Sequence, residues 1–291
     1  MLRPLLVAGP TASGKSAYAL ARAAEVPSVI INADSMQVYR ELRVLTARPT
    51  AEEEALAPHA LYGFVPAAEA YSAGRYVRDV AGVLARADAE GRRPVIVGGT
   101  GLYFMALLQG LSPVPPVPED VRTYWRGEAA RLGAEGLHAV LAVRDPVMAE
   151  RLRPSDPQRV TRALEVLEAT GQSLSRWQQV AGEPLFDAAA CERVVVLPER
   201  EAIYARADLR FDTMMAQGAL AEVMALGALG LDPALPAMRA LGVPQLLAVG
   251  RGEAGLADAV SEAKAETRRY IKRQMTWLKR NMIAWVYASS Q

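Results

Sequence analysis

The feature that most restricts this sequence lies near its start, in Gly9-Pro10-Thr11-Ala12-Ser13-Gly14-Lys15-Ser16. The spacing G-x-x-x-x-G-K-[ST] is that of a phosphate-binding loop. A short apolar run, Leu5-Leu6-Val7-Ala8, precedes it and an Ala-rich helical segment follows, which is the strand–loop–helix context the motif requires. Glycine lets the backbone approach phosphate oxygens, and the loop amides and helix N-terminus supply positive potential. Lys15 adds a mobile cation, and the Ser16 hydroxyl is suited to Mg²⁺, the expected cofactor. All eight motif residues, from Gly9 to Ser16, are thus candidates to bind a diphosphate or triphosphate group.

The rest of the chain extends this unit. Val29-Ile30-Ile31-Asn32, Pro94-Val95-Ile96-Val97 and Arg193-Val194-Val195-Val196-Leu197 read as buried strands, and segments 16–24, 72–89, 199–217 and 253–285 as helices. Strands alternating with helices predict a parallel sheet covered on both faces. Four prolines in Ser112-Pro113-Val114-Pro115-Pro116-Val117-Pro118 mark a linker, and residues 119–180 show helical spacing with no strand. The expected fold is α/β, with a phosphate-loop NTPase-like parallel sheet core flanked by helices and an inserted all-helical domain. The core spans 1–114 and 185–291, and the insertion 115–184.

Of the 291 residues, 51% are hydrophobic and 22% charged, which excludes a mainly disordered chain. No run reaches the roughly 18–20 apolar residues of a membrane span, and no signal peptide is recognisable. The single cysteine, Cys191, excludes an intrachain disulfide or a multi-cysteine zinc site. A cytoplasmic location without membrane association is expected. The net charge of +1 hides an uneven distribution: residues 264–280 hold seven basic side chains and one acid, a net +6 against −5 for the remainder. Such a segment fits either a polyanionic partner or a solvated helix face.

Ligands of open parallel sheets bind beyond the carboxyl ends of the strands. Asp34, just past the second strand, can accept a proton, hold Mg²⁺ or simply cap a turn. Gln37 is placed to read a base edge and Tyr39 to stack. Gly98-Gly99-Thr100-Gly101 allows a tight turn with a hydroxyl donor near the phosphate loop. The third strand ends without an acid for Mg²⁺, which argues against an ATPase. His59 and His138 fall in different regions and form no metal pair, and Cys191 reads as a buried apolar residue.

Several blocks occur in one order: the phosphate loop, Asp34-Ser35-x-Gln37-x-Tyr39, Thr46-Ala47-Arg48-Pro49, Pro58-His59, Tyr71-Ser72-Ala73, Val97-Gly98-Gly99-Thr100-Gly101-Leu102-Tyr103, Asp156-Pro157-Gln158-Arg159-Val160-Thr161-Arg162 and Lys272-Arg273-Gln274-Met275-Thr276-Trp277-Leu278-Lys279. This set closely resembles bacterial tRNA dimethylallyltransferases from the loop nearly to the C-terminus. The resemblance implies transfer of a dimethylallyl group from dimethylallyl diphosphate to the exocyclic amine of the adenosine 3′-adjacent to the anticodon, in tRNAs reading codons that begin with U. It implies Asp34 as base, and Lys15, Thr100 and Arg210 as groups acting on the departing diphosphate. It also implies tRNA contacts by Asp34, Ser35, Met36, Gln37 and Thr100, by Arg122, Gln158, Arg159, Val160, Thr161 and Arg162, and by Arg239 and Gly242. On the basic segment it implies Lys272, Arg273, Gln274, Thr276, Trp277 and Lys279, although Trp277 taken alone reads as a core anchor. The expected partners are the anticodon stem-loop and dimethylallyl diphosphate, with the protein a monomer. Leu45 stands where the family usually has glycine, Arg48 replaces a common lysine, Arg153-Pro154-Ser155-Asp156 replaces His-Pro-Asn-Asp, and Val243-Pro244 replaces Tyr-Arg. An adenine-nucleotide prenyltransferase and a small-molecule kinase remain the alternatives.

Overall fold

The computed structural model describes residues 2–288. One compact unit comprises Met1–Leu108 with Leu185–Gln291, and a second comprises Gln109–Pro184.

The first unit is built on six parallel strands: β1 (Leu5–Ala8), β2 (Ser28–Asn32), β3 (His59–Ala60), β4 (Arg93–Gly98), β5 (Glu192–Val196) and β6 (Val286–Ala288). Their order is β3-β2-β4-β1-β5-β6. The central strands are apolar on both faces because helices cover both. Leu5, Val7, Ile30, Val95, Val97, Val194 and Val196 pack on one side with Ala19 and Ala23 of α1 (Lys15–Ala23). Leu6, Ala8, Ile31, Ile96 and Val195 point the other way. There they meet Tyr76, Val80 and Val83 of α3 (Ala73–Ala89), and Tyr103, Phe104 and Leu107 of α4 (Gly101–Gln109). The short α2 (Ala51–Leu56), which lies between β2 and β3 in the chain, is held by a capping box in which Thr50 accepts from the Glu53 amide.

In the second unit the long α5 (Glu119–Arg144) is broken at Gly133, whose φ of 68° no helix accommodates. It packs with α6 (Pro146–Arg151), α7 (Pro157–Thr170) and α8 (Leu174–Trp177) around Trp125, Leu137, Leu141, Met148, Val160 and Leu164. Asp145 and Asp156 cap α6 and α7, each followed by proline at the first helical position.

The first unit then resumes with β5, α9 (Arg200–Ala216), α10 (Ala219–Gly227), α11 (Val243–Gly250) and α12 (Leu256–Asn281). The sequence reading carries the last helix to residue 285, but α12 ends at Asn281. Trp285 turns back into the core, where its ring meets Phe104 edge-on at 5.6 Å, and β6 follows. β3, β6, α2, α10 and α11 are absent from the sequence reading. The two strands are two and three residues long and owe their form to pairing with β2 and β5.

Candidate active site

The strand order places three loops side by side, because β2, β4 and β1 are neighbours and all point the same way. The phosphate loop follows β1, the glycine turn follows β4, and Asp34 follows β2. Gly9 N donates to the Gly98 carbonyl at 3.2 Å and Thr100 N to the Ala33 carbonyl at 3.1 Å, so the three strand ends are tied directly. A Cβ on Gly98 would collide with the Ala33 carbonyl, which makes this approach possible only for glycine.

Within the phosphate loop, Gly14 adopts φ 89° as it starts α1, and Ala12 also has positive φ. Lys15 is half-buried and its Nζ donates to the Pro10 carbonyl at 3.2 Å. Burial lowers its pKa to about 8; Asp34 pulls it up and Arg210 pushes it further down. The Ser13 hydroxyl is fully buried without a protein partner. The Ser16 hydroxyl sits exposed in the first turn of α1.

Asp34 is oriented by Asn32, a buried polar residue ending an otherwise apolar strand. Asn32 Nδ2 donates to the Asp34 and Leu61 carbonyls at 2.9 and 3.0 Å, and its Oδ1 accepts from Asp34 N at 2.8 Å. Asp34 Oδ1 accepts from Met36 N at 2.9 Å, closing a local turn. Thr100 Oγ1 accepts from Ser35 N at 2.9 Å and donates to Ser35 Oγ at 3.3 Å. The loops after β2 and β4, which carry Asp34 and Thr100, are thereby locked together through Ser35. Asn32 is missed by the sequence reading, although its polarity at the end of Val29-Ile30-Ile31 is the signal that would have found it.

Two cavities of about 390–400 Å³ lie on either side of Arg210. Thr11, Asp34, Ser35, Met36, Tyr270 and Arg273 line one of them. Ser16, Gln37, Arg48, His59 and Tyr62 line the other, beside apolar Leu20, Ile30, Val44 and Val97. Arg210 borders both, and also the open pocket over Ala12, Ser13, Gly14, Lys15 and Ser16. Burial lowers the pKa of Arg210 while Asp34 raises it. Burial and Asp34 together push Tyr270 up to about 12, so its hydroxyl keeps its proton.

Some candidates take other parts. Gln37 Nε2 donates to the Thr46 and Ala47 carbonyls, both at 2.9 Å, so its amide nitrogen fixes a loop instead of reading a base. Tyr39 is buried in a second core with Leu42, Leu45, Val65 and Phe211, and offers no stacking face. Gln274 is likewise buried, with Oε1 accepting from Thr11 N and Nε2 donating to the Gly99 carbonyl, each at 3.0 Å. A partner therefore meets neither end of that amide. Trp277 is half-buried, with its ring against Gly101. Val160 lies wholly in the core of the second unit, whereas Gln158 and Arg159 are exposed, and Thr161 and Arg162 partly so. Arg122 and Arg159 pair with Glu119 and Asp156 in their own helix ends, and Arg162 with Glu165.

The departures from the family pattern are connected. Leu45 and Val243 belong to the same buried cluster, and Gly242, at φ 89°, lies beneath Leu45 and Phe211. The side chain of Val243 and the Gly242 backbone are enclosed, while Arg239 remains exposed at the rim of the Asp34 cavity.

The basic segment is less cationic than its sequence suggests. Lys264 pairs with Asp212 at 2.6 Å, Arg268 with Asp208 at 2.7 Å and Arg269 with Glu262 at 2.5 Å. Among the described residues Lys272, Arg273, Lys279 and Arg280 form no ion pair and are exposed. The free charge gathers towards the C-terminal end of α12, from Lys272 onward, with Thr276 exposed among it.

Two family models match the chain, IPP transferase over residues 37–281 and isopentenyl transferase over residues 3–57. A tRNA dimethylallyltransferase of Bradyrhizobium sp. (strain ORS 278) is 54% identical over 289 residues, 99% of this chain and 94% of the relative. One from Parvibaculum lavamentivorans is 52% identical, covering 99% and 91%. Among solved structures, the full-length tRNA isopentenylpyrophosphate transferase of Bacillus halodurans superposes with a TM-score of 0.69 at 29% identity, over 99% of this chain and 90% of that one. A eukaryotic dimethylallyltransferase acting on tRNA shares the fold with a TM-score of 0.84 at 24% identity, over 99% and 74%. By sequence and by fold, this chain belongs to the tRNA dimethylallyltransferase family.

Proposed function

We propose that this chain transfers the dimethylallyl group of dimethylallyl diphosphate to the exocyclic amine of the tRNA adenosine 3′-adjacent to the anticodon, in tRNAs reading codons that begin with U. The observation that carries this reading is the position of Arg210, shared by the cavity of Asp34 and the pocket over the phosphate loop. A nucleophile held beside Asp34 would face a leaving group held by the loop.

The adenine amine is a weak nucleophile because its lone pair is delocalised into the ring. The allylic C–O bond must therefore break early, its electron pair leaving with diphosphate. Lys15, Arg210 and the loop amides would stabilise that charge, joined by Thr100 when its hydroxyl exchanges the long bond to Ser35 for one to the diphosphate. The amine nitrogen forms the new C–N bond, and its proton passes to the free oxygen of Asp34. The exposed Ser16 hydroxyl fits Mg²⁺, which takes one or two protein ligands with substrate phosphates and water. When bound, the ion would neutralise charge on the diphosphate. The target base cannot react while stacked and must turn out into the cavity. The free cations of α12 would bind phosphates of the tRNA anticodon arm, and the protein would act as a monomer in the cytoplasm. Among the described residues no helix is long and apolar enough to cross a membrane.

The direct test is incubation with labelled dimethylallyl diphosphate and bulk unmodified tRNA, followed by nucleoside analysis. Label in an adenosine neighbouring the anticodon is expected; label that never enters tRNA overturns the reading.

Two further outcomes follow from the electrostatics. Changing both Lys272 and Arg273 to alanine should reduce the slope of log affinity for tRNA against log salt by about 1.4–1.8, two phosphate contacts' worth. An unchanged slope returns this part of α12 to a solvated face. The second concerns Lys15. The diphosphate binds the protonated amine, so above pH 8 each binding event needs proton uptake and affinity must fall as pH rises. Relative to Lys15→Arg, which stays charged throughout, wild-type affinity for pyrophosphate should drop by up to about tenfold per pH unit above 8. Calorimetry from pH 7 to 9.5 measures that ratio, and a flat ratio removes Lys15 from the cradle.

A further inference from the structure

Gln274 stands apart from the rest of the basic segment. Its neighbours Lys272 and Arg273 are exposed cations, yet its own side chain turns inward and hydrogen-bonds two loops that lie far from α12 in the sequence. One end holds the amide of Thr11 in the phosphate loop and the other the carbonyl of Gly99 in the glycine turn, both at 3.0 Å. One turn further on, Trp277 lies against Gly101, so consecutive turns of one helix grip both loops. Arg273 and Thr11 also line the cavity that contains Asp34. Ile271 and Met275 of α12 also pack on Ala12 of the phosphate loop, but this amide is the polar tie through which a small shift of α12 under the pull of bound phosphates reaches both loops at once.

We propose that Gln274 is a positioning residue that couples a polyanion bound along α12 to the anion held by the phosphate loop. The proposal rests on the reading of α12 as a tRNA-binding helix. Coupling of this kind is reciprocal: whatever factor tRNA adds to diphosphate affinity, diphosphate adds to tRNA affinity. An amide suits the role because it donates and accepts at once, which the two loops require. Leucine does neither, and glutamate restores only the bond from Thr11.

The experiment measures the affinity of the full chain for inorganic pyrophosphate with Mg²⁺, with and without saturating unmodified tRNA, and tRNA affinity with and without pyrophosphate. Wild type should show the same factor both ways, about fivefold or more. In Gln274→Leu the factor should fall to within about twofold of unity, and in Gln274→Glu to an intermediate value, while each variant still binds tRNA alone with near wild-type affinity. An equal factor in wild type and both variants overturns the proposal, as does a factor of one in wild type. Failure of wild type to bind tRNA at all would instead overturn the underlying reading of α12. If the leucine variant does not fold, the glutamate variant decides alone, since its near-isosteric side chain keeps one of the two bonds. A purely structural role would lower both separate affinities and leave the factor unchanged.

Discussion

Replacing Lys15 by methionine should lower kcat/KM for dimethylallyl diphosphate by about two to three orders of magnitude, the range seen when one donor to a developing anion is removed. Both the bound diphosphate and the departing one carry the charge that Lys15 faces, so KM should rise as kcat falls. Folding should respond differently. Burial disfavours the charged amine, as its lowered pKa records, and methionine keeps the stem without that charge. The thermal midpoint should therefore hold or rise, while activity collapses. A midpoint that falls together with activity would mean that the bond from Nζ to the Pro10 carbonyl matters for the loop's shape more than the charge does for the reaction.

That prediction was accessible from residues 5–16 because a phosphate loop is local: strand, turn and helix are contiguous, and glycine and lysine have definite tasks within them. The four longer strands were legible for the same reason, being continuous apolar runs covered on both faces. What the sequence conceals is interaction over distance. Glu222 of α10 accepts from three successive amides, those of Arg43, Val44 and Leu45, at 2.7–2.9 Å. It fixes a loop bordering both cavities from nearly 180 positions away, and no local pattern marks it. Gln37 and Gln274 sit in family blocks that suggest RNA contacts, yet both are turned inward by backbone groups that only the folded chain brings near. Charge counting overstated α12 for the same reason, since two of its three paired cations find their acids on α9. Conversely Leu45 and Val243, each a departure when taken singly, are explained once the fold sets them in one core.

Asp34 offers the sharpest separation of structure from chemistry. Its Oδ1 closes the turn onto Met36 N, and an asparagine carbonyl oxygen can accept that same bond. The backbone of residue 34 is held independently, by both ends of the Asn32 side chain. Asp34→Asn should therefore keep the loop and the cavity, and lose the group that takes the proton together with the negative charge that favours protonated Lys15 and Arg210. Loss of a general base lowers the rate by about 10²–10⁴, and kcat should fall by that factor with tRNA affinity within about threefold of wild type. Asp34→Ala should match the asparagine variant in kcat but also lose stability, because the Met36 amide is left without its acceptor. Single-turnover rates separate these effects from product release. If Asp34→Asn retained the wild-type single-turnover rate, the proton would have to leave by another route, and the departing diphosphate would be the next acceptor to test.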